Sequence, residues 1–135
     1  MRILLVEDEV LIAMEQRLYL EAAGHEVLGP AVTAAEAVAM AAEDPPDLAL
    51  VDVHLARNSS GIDAAQVLTR QGVPCLFITS FRDEMRQAGI PIPGIGCLPK
   101  PFSEHSLLGA VEVARTILTG GTPRDVPKTM ELFDN

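Results

Sequence analysis

The sequence predicts a doubly wound α/β fold built on a five-stranded parallel sheet. Three observations carry that reading. Short β-rich apolar runs recur along the chain, and segments with helical spacing separate them. At 135 residues the chain suits one core and is short for two domains. Strands alternating with helices make a parallel sheet, and right-handed crossovers place the helices on both faces.

The first run, Ile3-Leu4-Leu5-Val6, is apolar on both faces, as a central parallel strand requires. Leu11, Met14, Leu18 and Ala22 follow at helical spacing and are expected to face inward, with Gly24 ending the helix. Glu26 to Pro30 reads as a weaker strand near an edge. Thr33 and Glu36 have capping-box spacing, the next inward stripe is Ala34, Val38 and Ala41, and Pro45-Pro46 ends that helix. Leu48 to Val53 is the third strand. An Asn/Ser/Gly-rich loop leads to a helix from about Ile62 to Arg70, and Val73 to Thr79 is the fourth strand. A short or irregular fourth helix is expected over 82–88, followed by a Pro/Gly-rich stretch over 89–96. Cys97-Leu98 is the remnant of a fifth strand. Ser103 caps the last helix, whose inward stripe is Leu107, Val111, Ala114 and Leu118, and Gly120-Gly121 ends it. The domain is thus expected over 1–119. Residues 120–135 read as a flexible tail, with Met130, Leu132 and Phe133 as a candidate docking segment.

Composition narrows the functional classes. Nineteen acids against 10 bases give a net charge of −9, which opposes nucleic-acid binding and docking on an anionic membrane. Hydrophobic residues make up 48% of the chain, too many for disorder. No apolar run reaches the roughly 20 residues of a membrane helix, and Glu7-Asp8-Glu9 interrupts any export signal at once. Cys75 and Cys97 lack metal-ligand or disulfide spacing and read as buried hydrophobes in a reducing cytoplasm.

Ligands of open α/β sheets bind beyond the carboxyl ends of the strands. Those ends carry Glu7 and Asp8, Asp52, Thr79 and Ser80, and Lys100, one of only two lysines. Clustered carboxylates repel unless a cation intervenes, and Mg²⁺ with its oxygen ligands fits that need. A lysine opposite binds phosphate, a threonine hydroxyl bonds a phosphoryl oxygen, and an aspartate nucleophile gives an acyl phosphate. No Gly-x-x-x-x-Gly-Lys loop is present to hold a nucleotide, so the phosphate must arrive on another carrier.

The blocks Leu5-Val6-Glu7-Asp8-Glu9, Leu50-Val51-Asp52-Val53, Phe77-Ile78-Thr79-Ser80 and Lys100-Pro101-Phe102 resemble the signature segments of the response-regulator receiver domain, in the right order. The resemblance implies the strand order 2-1-3-4-5. It makes Asp52 the phosphoacceptor. Glu7, Asp8, Asp52 and the backbone carbonyl of His54 become the Mg²⁺ ligands, Thr79 the switch hydroxyl and Lys100 its charged partner. It also implies a cis Lys100-Pro101 peptide. The side chain of His54 is expected in solvent, and His25 and His105 on the surface.

One departure stands out. The family commonly carries an aromatic residue three before the lysine, where this chain has Cys97. Phe81 instead follows Ser80 directly. This resembles an atypical subgroup with a Phe-Ala-Thr-Gly-aromatic motif, which includes receivers of general-stress regulators, with Ile78 and Ser80 replacing the Ala and Gly. Phosphorylation is therefore expected to draw Thr79 inward and reorder residues 81–97, with Ser80, Phe81 and Cys97 as modulating positions.

The expected function is a single-domain response regulator, not an enzyme in its own right. Its partners are a sensor histidine kinase or histidine phosphotransfer protein and a downstream protein target, with the chain a monomer or weak dimer. Only about 16 residues follow the last helix, so no output domain is expected. The alternatives are a phosphorylation-independent receiver-like module and a small metal-dependent phosphohydrolase. The second lacks an acid two residues after Asp52, where His54 stands. A flavin-binding role lacks a phosphate loop after the first strand.

Overall fold

Strand β1 (Arg2–Val6) takes an inner place in the sheet because its side chains are apolar in both directions. Ile3, Leu4, Leu5 and Val6 are all fully buried. The computed structural model describes residues 1–80 and 92–133. After β1 come α1 (Val10–Ala22), β2 (Glu26–Ala31), α2 (Ala34–Glu43), β3 (Leu48–Val51), α3 (Gly61–Arg70), β4 (Cys75–Thr79), β5 (Gly96–Pro99), α4 (Glu104–Leu118) and β6 (Glu131–Leu132). The sheet order is β2-β1-β3-β4-β5-β6. The first five strands pair in parallel, and β6 lies antiparallel on β5.

Two cores follow from the period-two alternation of the strands. Leu4, Val6, Ala49, Val51, Cys75 and Phe77 face α2 and α3. Ile3, Leu5, Leu48, Leu50, Leu76 and Ile78 face α1 and α4. The doubly wound arrangement and the order of the first five strands are as expected.

Local signals fix most helix ends. Thr33 Oγ1 accepts from the Glu36 amide at 3.1 Å, while Glu36 Oε2 reaches the Val32 amide at 3.0 Å, one residue short of a reciprocal box. Ser103 and Ser106 form the full reciprocal box at α4. Gly24 adopts φ +92° just beyond α1, a conformation that favours glycine. Lys100-Pro101 is cis, and so is Gly29-Pro30.

Three expectations need correction. On α1, Leu11, Met14 and Leu18 do not face the core: they are 80%, 61% and 66% exposed, and Val10 is 67% exposed. The buried stripe is Ala13, Gln16 and Leu20. The two stripes have the same internal spacing and lie two residues apart, which is about 200° around the helix. Periodicity therefore fits either face, and only contact with the sheet selects Ala13, Gln16 and Leu20. On α4, Leu118 is 43% exposed, and Ala110 and Val113 join the core instead.

The third correction concerns the strand count and the tail. The sheet has six strands, because Glu131–Leu132 pairs with β5. Met130 is buried, and Phe133 packs against the core on the α2/α3 side. The tail expected to be flexible thus pairs along β5, and its candidate docking residues Met130, Leu132 and Phe133 are the ones that do so or pack beside it. The helix expected over 82–88 lies outside the described residues, as does Phe81.

Candidate functional site

The carboxyl ends of β1, β3, β4 and β5 converge, and backbone bonds lock their relative heights. The Asp52 amide donates to the Val6 carbonyl at 2.9 Å, the Glu7 amide to the Ala31 carbonyl at 2.9 Å, and the Lys100 amide to the Thr79 carbonyl at 3.3 Å. Asp52, Glu7 and Thr79 are buried, Asp8 is half-buried, and Ser80 and His54 are exposed.

The loop after Asp52 is held from several sides. The Val53 amide donates to Asp52 Oδ1 at 2.7 Å, fixing one carboxylate oxygen. The Gly61 amide donates to the Val53 carbonyl at 2.7 Å. A Cβ on Gly61 would overlap the Asp52 carbonyl, so only glycine lets α3 start this close to the acceptor strand. Arg57 and Asn58 adopt left-handed φ of 58° and 56°, and Ser59 Oγ accepts from the Ala34 amide at 2.7 Å, pinning the loop to α2. Ser60 caps α3 through the Ile62 and Asp63 amides.

Lys100 Nζ is the electrostatic centre of the site. It lies 2.6 Å from Glu7 Oε1, 2.9 Å from Asp52 Oδ2 and 3.0 Å from Glu9 Oε2, with its side chain only 8% exposed. Glu7 Oε2 accepts from the Glu9 amide at 3.1 Å. Burial pushes the Glu7 carboxyl up to about 7, against the pull of the Lys100 hydrogen bond. Burial also disfavours the charged Lys100, but its bonds to Glu7 and Asp52 outweigh this and raise its pKa. Burial likewise raises the Cys75 thiol to about 12, which leaves it chemically inert.

Carboxylate oxygens of Glu7, Asp8 and Asp52 all lie within 4.8 Å of one another. Three anionic oxygens at this spacing suit a hard divalent cation with water completing its shell. Asp52, Glu7, Asp8, Thr79 and Lys100 are thus brought to one place. Cys97 is buried further down β5, in register with Phe77. Glu9 and Gly61 were not anticipated. Glu9 extends the acidic run by one and reads as a solvated charge, while Gly61 is the lone glycine between a serine pair and a helix, its only sequence signal.

Comparison with known proteins follows the same lines. The response regulator receiver domain model matches residues 3–112. The phyllosphere-induced regulator PhyR of Methylorubrum extorquens is 39% identical over 114 residues, spanning 83% of this chain and 42% of PhyR. The transcriptional regulatory protein PdtaR of Mycobacterium tuberculosis is 36% identical over 119 residues, spanning 84% of this chain and 56% of PdtaR. The chain thus spans about half the length of these curated relatives. The solution structure of the Erythrobacter litoralis PhyR receiver domain superposes with a TM-score of 0.78 at 34% identity, covering 84% of this chain and 88% of that one. A CheY-like receiver from Methanospirillum hungatei gives 0.74 at 26% identity, covering 84% and 91%. Among the described residues no helix is long and apolar enough to cross a membrane. With its sheet order, its strand-end acids and lysine, and this match over most of its length, the chain belongs to the response regulator receiver domain family.

Proposed function

We propose that the chain accepts a phosphoryl group on Asp52 from the phosphohistidine of a sensor kinase or phosphotransfer protein in the cytoplasm. The observation that carries this reading is the grouping of Glu7, Asp8 and Asp52 within 4.8 Å, with Lys100 2.9 Å from Asp52. A carboxylate oxygen of Asp52 forms the new O–P bond as the donor's N–P bond breaks, and the donor imidazole leaves with the electron pair. Glu7, Asp8, Asp52 and the backbone carbonyl of His54 would hold Mg²⁺, which would supply positive charge to offset that of the transferring phosphoryl group. Lys100 supplies a second, protein-borne positive charge, and the Thr79 hydroxyl bonds a phosphoryl oxygen. The Val53 amide keeps the Asp52 carboxylate oriented.

The exposed stripe of Val10, Leu11, Met14 and Leu18 is the docking surface for an apolar helix of the donor. It begins next to Glu9, whose carboxylate touches Lys100, so a donor resting there presents its histidine to Asp52. Burying one such side chain is worth about 1.5–3 kcal/mol, and the fold leaves four uncovered. Output passes through protein contact. One similar solved structure, from Bartonella quintana, carries a name of that kind, anti-anti-sigma factor. The test is labelling with acetyl phosphate and Mg²⁺. Label on the wild type and none on Asp52→Asn is expected, whereas an unlabelled, folded wild type points to a phosphorylation-independent interaction module.

A further inference from the structure

The C-terminal segment engages both faces of the sheet at one edge. Met130 enters the core on the α1/α4 side, while Phe133 packs on the α2/α3 side, its ring 6.3 Å from that of Phe77. Between them, Leu132 pairs with Gly96 and Glu131 with Cys97. The Phe133 amide donates to the Ile95 carbonyl at 2.9 Å. A Cβ on Gly96 would overlap the Glu131 carbonyl, so glycine at that place admits the strand. Pro127 lies over Gly109 of α4, where a Cβ would meet the proline ring at 3.1 Å.

This edge is built on the two strands that end in the site. Phe77 stands two residues before Thr79 on the same face of β4, and the Lys100 amide bonds the Thr79 carbonyl. Thr79 and Lys100 therefore continue the same two strands that carry the ring and the backbone edge holding the segment. The segment is held along only a short stretch of backbone. Its strand is two residues long, and Leu132 is 40% exposed. Short edge elements with few buried contacts open at the least cost.

We propose that residues 122–133 are a releasable strap, closed over the β5 edge while Asp52 is unmodified and freed when a phosphoryl group there rearranges Thr79 and Lys100. The proposal rests on the phosphoacceptor reading above. Release bares the backbone edge of β5 and the apolar surface beneath Met130 and Phe133.

The test uses the full chain with Mg²⁺ and beryllofluoride, a phosphoryl mimic whose binding gives its own fluorine resonance. Loading is expected to speed amide exchange at Phe133 by about fivefold or more, with β1 amides unchanged. Because coupling is reciprocal, Phe133→Ala is expected to tighten beryllofluoride binding by about fivefold. With beryllofluoride bound, unchanged exchange at Phe133 or unchanged affinity in Phe133→Ala overturns the strap and leaves the acceptor site standing. Absence of a bound resonance in the wild type overturns the acceptor reading, and the strap with it.

Discussion

Lys100 Nζ sits 2.9 Å from Asp52 Oδ2 and 2.6 Å from Glu7 Oε1, so one ammonium is the counter-ion of two buried carboxylates. Removing one partner of a buried charge group costs about 3–5 kcal/mol, because the others stay desolvated. Lys100→Met should therefore lose stability of that order at pH 8 without metal. The loss should shrink at pH 5.5, where Glu7 takes up a proton. Adding Mg²⁺ should recover part of it. Urea denaturation at the two pH values, with and without Mg²⁺, measures all three effects.

The Glu7 carboxyl, raised to about 7 from an ordinary 4.5, holds its proton more tightly in the fold than in the unfolded chain. Between those values the folded state binds more protons, so its stability falls as pH rises from 4.5 through 7. Below 4.5 the contribution is fully present. Glu7→Gln should flatten this part of the metal-free stability profile. In the wild type, Mg²⁺ affinity should climb over the same range, because binding releases the proton. Calorimetric titrations at pH 5.5 and 8 check the second point, and a wild-type slope equal to that of Glu7→Gln would count against the first.

Gly61→Ala places a methyl group against the Asp52 carbonyl, where backbone rather than a flexible side chain must yield. The expected cost is about 1–3 kcal/mol, with slower acetyl-phosphate labelling as Asp52 shifts. The same change at Gly72, which has open space around it but φ +87°, should cost stability without slowing labelling. The pair separates backbone strain from damage to the site.

Gln16 is 2% exposed on the inner face of α1, and among the described residues its Oε1 alone is a buried side-chain polar atom without a hydrogen-bond partner. An unsatisfied buried acceptor costs about 1–3 kcal/mol, whereas an apolar group of similar shape does not. Gln16→Leu should raise the thermal midpoint. A lower midpoint would mean that the amide has a role the static packing does not reveal.

Met14→Glu with Leu18→Glu alters the exposed stripe of α1 and touches no core residue. Stability should stay within about 0.5 kcal/mol of the wild type. Labelling by acetyl phosphate should be unchanged, while phosphotransfer from a protein donor should fall by tenfold or so. Equal transfer rates from the protein donor would exclude α1 as the docking surface.

The strands and the site were legible because the physics there is local and loud. A run apolar on both sides, such as Leu48 to Val51, reads as an inner strand, and a polar residue directly after it marks the ligand-binding end. Four such ends carried Glu7, Asp8, Asp52, Thr79 and Lys100, and they converge as expected. The inward face of α1 was not legible, because Leu11-Met14-Leu18 and Ala13-Gln16-Leu20 share one spacing and only contact with the sheet decides between them. Strand β6 was not legible either: its pairing depends on the missing side chain of Gly96, some 35 residues earlier in the chain. Glu9 carried no expected role because its contact depends on where Lys100 arrives, which no local pattern encodes.

The two margins of the sheet are blunted in different ways. At β2, Pro30 withholds a donor, and Glu26 is tied up in an ion pair with Arg2. At β5, a strand of two residues covers the backbone yet is too short to template a third chain. A parallel sheet bordered in this way resists edge-to-edge self-association. A concentrated, metal-free solution of the intact chain should stay free of β-aggregates, whereas a version ending before residue 122 would leave the β5 backbone without the partner strand it has here.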